Sequence, residues 1–97
     1  MEQNKIVILI PAYNEADNLK KLLPKLKTYN VYIINDGSTD KTLEIVKKNK
    51  CKYINIKVNS GYENAVLTGL KYLRKKKYKY ILTFDADGQH QIKDIKK

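Results

Sequence analysis

The sequence predicts an α/β domain built on a parallel sheet of four strands with flanking helices. Two observations carry that expectation. Apolar, β-branched runs recur at Ile6–Ile10, Val31–Ile34, Tyr53–Ile56 and Tyr80–Phe84, and the stretches between them place apolar residues at helical spacing. The resulting β-α-β-α-β-α-β order is that of strands joined by right-handed crossovers, which makes the sheet parallel. A short polar connection follows each strand, so these connections gather on one edge, where open α/β sheets hold their ligands. All 97 residues read as one domain, 1–97, without repeat, linker or low-complexity segment.

The first helix is read from Leu19, Leu22, Leu23 and Leu26, at i, i+3, i+4 and i+7, with Asn14 as its N-cap. Pro24 lies inside that pattern; it lacks an N–H and crowds the preceding turn, so the helix ends or kinks near Leu23. The second helix carries Leu43, Ile45 and Val46 after the capping candidates Ser38 and Thr39. The third carries Ala65, Val66, Gly69, Leu70 and Leu73, opened by a capping box in which Ser60 and Glu63 exchange hydrogen bonds with each other's backbone. Beyond the fourth strand, Ile92 to Lys97 has the pattern of a further helix start. A sheet ending there leaves an edge to be covered, and the expectation is either a fragment of a longer chain or self-association into a homo-oligomer.

Hydrophobic residues at 42% and charged residues at 31% describe a globular chain rather than a disordered one. The longest apolar run, Ile6 to Ile10, is far short of the roughly 20 residues a membrane span needs. Met1–Lys5 lacks the basic start of a signal peptide, so the expected location is cytoplasmic. Cys51 is the only cysteine; it is read as a structural thiol, although Lys50 and Lys52 favour its thiolate. A net charge of +10 attracts polyanions, including anionic lipid and phosphorylated metabolites. The densest basic run, Arg74–Lys77, reads as a solvated helix end. Aromatic residues make up 9% without the spacing of a base-stacking platform, so nucleic acid is not an expected partner.

The connections carry the chemistry. Pro11-Ala12-Tyr13-Asn14-Glu15 joins a strand to a helix whose first N–H groups suit an anion or a base edge. Tyr13 offers a ring to stack or a hydroxyl to donate, and Glu15 can cap the helix or accept from a ligand. Asp36 is placed either to accept from a nucleobase or ribose or to close an Asx-turn on its own backbone. Asp40 suits the first turn of a helix. Asn59-Ser60-Gly61-Tyr62 holds one glycine and is no dinucleotide fingerprint. Asp85-Ala86-Asp87-Gly88-Gln89-His90 follows an apolar strand in a basic chain. Two carboxylates this close are costly unless a cation compensates, and their hard oxygens suit Mg2+ or Mn2+ bridging substrate phosphates. A calcium loop fails here, because Thr83 stands where its first carboxylate belongs and a strand leads in.

These segments, in this order, resemble the family 2 glycosyltransferases of GT-A fold, most closely the polyprenyl- or dolichyl-phosphate sugar transferase branch. The matching stretches are Ile8–Glu15, Ile33–Asp40, Asn59–Gly69 and Leu82–His90. The resemblance implies a Rossmann-like, three-layer arrangement and a nucleotide-sugar donor. It implies that Pro11, Ala12, Tyr13, Glu15, Asp36 and Asp85 bind the nucleotide, and that Asp85, Asp87 and Gln89 hold Mg2+ or Mn2+. The acceptor it implies is a lipid phosphate or glycan, met by peripheral contact at the cytoplasmic face of the membrane. The third segment departs from the family pattern: Tyr62, Glu63 and Asn64 stand where a second glycine and a basic residue are usual. The family's catalytic and acceptor-binding residues are expected beyond Lys97.

Overall fold

The computed structural model describes residues 5–87. The elements run β1 (Ile6–Ala12), α1 (Ala16–Leu22), a 3-10 turn (Leu23–Leu26), β2 (Asn30–Asp36), α2 (Thr42–Lys48), β3 (Lys52–Ile56), α3 (Tyr62–Leu73) and β4 (Tyr80–Thr83). The strands form one sheet in the order β3-β2-β1-β4, and every neighbouring pair is parallel. The predicted Gln89 and His90 and the further helix at Ile92–Lys97 lie outside the described residues.

Alternation along the strands sorts the core into two layers. Ile6, Ile8, Ile10 and Ala12 of β1, with Val31 and Ile33 of β2, face Leu19 and Leu22 of α1, Leu23 and Leu26 of the 3-10 turn and Val46 of α2. Val7, Leu9, Tyr32 and Ile34 point the other way, onto Ala65 and Leu73 of α3. The three-layer arrangement follows from the connections. The chain moves outward from β1 to β3 through α1 and α2, then returns through α3 to β4 on the far side of β1. Right-handed crossovers in opposite directions put their helices on opposite faces. The strand order therefore reverses between β1 and β4.

Gly69 lets α3 seat directly on the sheet: a Cβ there would stand 2.5 Å from Leu9 Cδ1 and 3.1 Å from Ile34 Cδ1. At the edge, Phe84 and Ala86 are buried with the α1-side cluster. Burying a phenylalanine side chain stabilises by roughly 1.5–3 kcal/mol, which anchors the start of the acidic connection. Asp85 is left half-buried and Asp87 exposed.

Several local expectations are corrected. Asn14 does not cap α1; it takes a left-handed conformation (φ 54°), and the helix starts two residues later. Ser60 and Glu63 form no capping box, because the Ser60 hydroxyl donates instead to Asp36 Oδ1 at 2.7 Å. Neither Ser38 nor Thr39 caps α2; Lys41 holds the N-cap position, and the Thr42 N–H donates to Asp40 Oδ1 at 2.9 Å. Pro24 ends α1 as expected, with the chain tightening into the 3-10 turn. Burial pushes the Cys51 thiol above its ordinary value, against the effect expected of its lysine neighbours and consistent with a structural role. Arg74–Lys77 is exposed just past α3, with Lys76 Nζ 4.9 Å from the Tyr72 ring centroid.

Candidate functional site

The first two connections fasten each other. The Asn14 N–H donates to Ser38 Oγ (2.9 Å), while Asn14 Oδ1 accepts from the N–H groups of Thr39 (2.8 Å) and Asp40 (3.2 Å). The Glu15 N–H donates to Thr42 Oγ1 at 2.9 Å and the Ala16 N–H to Asp40 Oδ2 at 3.3 Å. The start of α1 thus spends these N–H groups on side chains of the next connection. The N–H groups of Asn14, Glu15 and Ala16 therefore do not face an anion or base edge, because the fold supplies their partners internally. Partial burial opposes the charge on Asp40, but hydrogen bonds from Thr42 and Ala16 outweigh it and hold its carboxyl below the ordinary value.

Asp36 ends β2 on the face that α3 covers, and it is buried. Its carboxylate does not close an Asx-turn. Oδ1 accepts from the Ser60 N–H (2.9 Å) and hydroxyl (2.7 Å), and Oδ2 from the Gly61 N–H (2.9 Å) and Asn59 Nδ2 (3.2 Å). Asn59 Nδ2 also donates to the Asp36 carbonyl at 3.1 Å. Gly37 makes this closeness possible: its φ is +74°, and a Cβ there would lie 2.4 Å from the Asn59 nitrogen. The third connection is therefore packed closely on the second and held there through the Asp36 carboxylate and the Asn59 amide.

A cleft of about 240 Å3 opens between these connections. Pro11, Ala12, Tyr13, Glu15 and Asp36, the five residues expected at the nucleoside end, all line it. Asn59, Gly61, Tyr62 and Ala65 complete the lining and were not among the expected site residues. Tyr13 and Tyr62 are both largely exposed along it. Glu15 is half-buried and accepts from Asn18 Nδ2 at 2.7 Å. Asp85 stands beside the cleft, where its Oδ1 accepts from the Tyr62 hydroxyl at 3.2 Å. Partial burial and the neighbouring Asp85 carboxylate both raise the Tyr62 hydroxyl above its ordinary pKa. A basic cleft of about 170 Å3, including Lys27, Lys50 and Lys52, lies around the opposite, N-terminal ends of β2 and β3.

The acidic pair suits a hard divalent cation in ligand type. Among the described residues no group of three or more His, Cys, Asp or Glu side chains gathers as a metal cage. That is compatible with Mg2+ or Mn2+, since Mg2+ in particular typically uses one or two carboxylates and takes its other ligands from water and substrate phosphates. Gln89, the third expected ligand, lies outside the described residues.

An open parallel sheet with its cleft at the carboxyl ends of β1 and β2, and Asp85 beside it, defines a doubly wound α/β protein of GT-A type. More particularly, the chain belongs to glycosyl transferase family 2, whose model matches residues 7–97. It is 36% identical, over its whole length, to the UDP-N-acetylglucosamine–dolichyl-phosphate N-acetylglucosaminyltransferase of Methanococcus voltae, covering 47% of that protein. It is 40% identical to the uncharacterized protein MJ1222 of Methanocaldococcus jannaschii, again over its whole length and 41% of that protein. The chain thus spans less than half the length of these relatives. In fold it is similar to glucosyl-3-phosphoglycerate synthase from Mycobacterium tuberculosis, solved with Mn2+, UDP and glucosyl-3-phosphoglycerate. The TM-score is 0.72 at 16% identity, over 84% of this chain and 33% of that one.

Proposed function

We propose that this chain binds a nucleotide sugar, linked to UDP or GDP, and that its donor site serves glycosyl transfer to a lipid phosphate or glycan. The observation that carries this reading is the convergence of Pro11, Ala12, Tyr13, Glu15 and Asp36 on one cleft, with Asp85 at its side. Family membership and the dolichyl-phosphate relative support the class of reaction. The neighbour solved with UDP and Mn2+ supports the choice of probes.

In this reading the Tyr13 ring stacks on the base, and Pro11 and Ala12 form the wall against which it rests. Glu15 accepts from a ribose hydroxyl. Asp36 serves the nucleoside end through the connection it holds, presenting Asn59 and Gly61 to the cleft. Asp85 and Asp87, with Gln89, hold Mg2+ or Mn2+. The bound cation supplies charge neutralisation for the departing nucleoside diphosphate. Asp85, tied to Tyr62, keeps that end of the site adjacent to the nucleoside cleft.

No helix among the described residues is long and apolar enough to cross a membrane. The excess of lysine favours anionic lipid headgroups, so we place the protein peripherally, at the cytoplasmic face where a lipid phosphate is met. Calorimetric titration with UDP- and GDP-sugars, in Mn2+ and in EDTA, tests the donor site. A parallel assay for released nucleoside diphosphate tests turnover. Metal-dependent binding is expected. Binding without release limits the chain to a donor-binding module, and absence of binding in both conditions overturns the reading.

A further inference from the structure

We infer that Tyr62 is a positioning residue for the acidic pair, holding the Asp85 carboxylate in place for a divalent cation while its ring walls the nucleoside cleft. This rests on the donor-site reading above and deepens it. Tyr62 is the first residue of α3, and its side chain is 58% exposed. Core packing therefore does not account for its placement. Its hydroxyl nevertheless reaches Asp85, 23 residues further on, donating to Oδ1 at 3.2 Å. The same side chain lines the cleft with Tyr13 and Asp36.

The placement is built in two steps. Asp36 fixes Ser60 and Gly61 through their N–H groups. Gly61, at φ +96°, then turns the chain into α3. Tyr62 follows directly, so the buried carboxylate at the end of β2 sets where its hydroxyl stands. A continuous run of bonded groups links Asp36 to Asp85 across the mouth of the cleft.

The choice of a hydroxyl matters electrostatically. A lysine in this position would neutralise Asp85 and compete with a cation for it. A neutral donor orients the carboxylate without cancelling its charge, as groups behind metal ligands generally do. The expected consequence is coupling between metal and nucleotide, because one side chain touches both ends of the site.

Four proteins test this: the wild-type chain, Tyr62→Phe, Tyr62→Ala and Tyr62→Lys. Mn2+ binding is read by electron paramagnetic resonance of the free ion, UDP and GDP binding by calorimetry with Mn2+ or EDTA, and folding by thermal melts. Tyr62→Phe keeps the ring and is expected to lower Mn2+ affinity about fivefold, the size of one hydrogen bond. Its loss of nucleotide affinity is expected to be larger with Mn2+ than with EDTA. Tyr62→Ala should lose affinity in both conditions, and Tyr62→Lys should bind Mn2+ more weakly than Tyr62→Phe. Unchanged Mn2+ affinity in a folded Tyr62→Phe, or equal nucleotide losses with and without metal, overturns the role of Tyr62 while leaving the donor site standing. A folded wild type that binds neither nucleotide overturns the donor site and, with it, this role. One that binds nucleotide but no Mn2+ overturns the metal end alone and the positioning role with it.

Discussion

Replacing Asp36 with asparagine keeps the shape of the side chain and converts one acceptor oxygen into a donor. The cost can be worked from the four hydrogen bonds its carboxylate accepts, two on each oxygen. The least disruptive arrangement keeps the oxygen toward Ser60, whose N–H and hydroxyl both donate to it. The new NH2 then faces the Gly61 N–H and the Asn59 amide. Asn59 can turn its oxygen toward the new donor, but it then gives up its 3.1 Å bond to the Asp36 carbonyl. Gly61 has no such recourse, and two donors are set against each other.

Losing one hydrogen bond to a charged acceptor costs roughly 1.5–3 kcal/mol. Gly61 is exposed and can rehydrate, which favours the lower half of that range. A loss of about 2 kcal/mol corresponds to a fall in melting temperature of roughly 8–16 °C for a domain of this size. Urea unfolding followed by circular dichroism measures the loss, and hydrogen exchange at Ser60 and Gly61 localises it. A variant within about 0.5 kcal/mol of wild type, with those amides still protected, would refute the idea that Asp36 fastens the third connection.

Three further outcomes follow from the same geometry. Gly37→Ala forces a Cβ to within 2.4 Å of the Asn59 nitrogen at φ +74°; it should cost about 2 kcal/mol or more, read as a lower urea midpoint. Gly69→Ala gains about 1 kcal/mol of helix propensity but overpacks against Leu9, at a cost of roughly 1–3 kcal/mol. The net should be destabilising, and a stabilised variant would show that α3 does not press on the sheet there. Asp40 has a folded-state pKa below its ordinary value of 3.8. Its contribution is therefore complete above the unfolded value and lost as pH falls through the folded one. The stability gap between wild type and Asp40→Asn should be constant at neutral pH and close only in acid below that ordinary value; a gap that closes near neutrality contradicts the assignment.

Much of the fold was legible because it is written in local pattern. Ile6–Ile10 and Leu19–Leu26 announce a strand and a helix by spacing alone, and the alternation of such segments implies parallel strands with their connections on one edge. The resemblance supplied the five cleft residues. What stayed hidden is whatever depends on pairs distant in sequence. Asn14 looks like a cap for its own helix, yet its side chain binds Thr39 and Asp40, 25 and 26 residues away. Ser60 and Glu63 match a capping box, but Asp36 is a charged acceptor and takes the Ser60 hydroxyl and N–H together. Tyr62 gave only one sign, its departure from the family pattern, and its role emerges when the α3 crossover carries β4 past β1 to set Asp85 beside it.

The proposed donor site puts a nucleotide at the carboxyl edge of the sheet and a divalent cation at the acidic pair. Backbone amide shifts of the labelled chain during titration with a UDP- or GDP-sugar test it most directly. The expected result is shifts confined to Ala12–Glu15, Asp36 and Asn59–Tyr62, and, on adding Mn2+, paramagnetic broadening centred on Asp85–Asp87. Shifts centred instead on the basic cleft of Lys27, Lys50 and Lys52, with broadening elsewhere or absent, would contradict it.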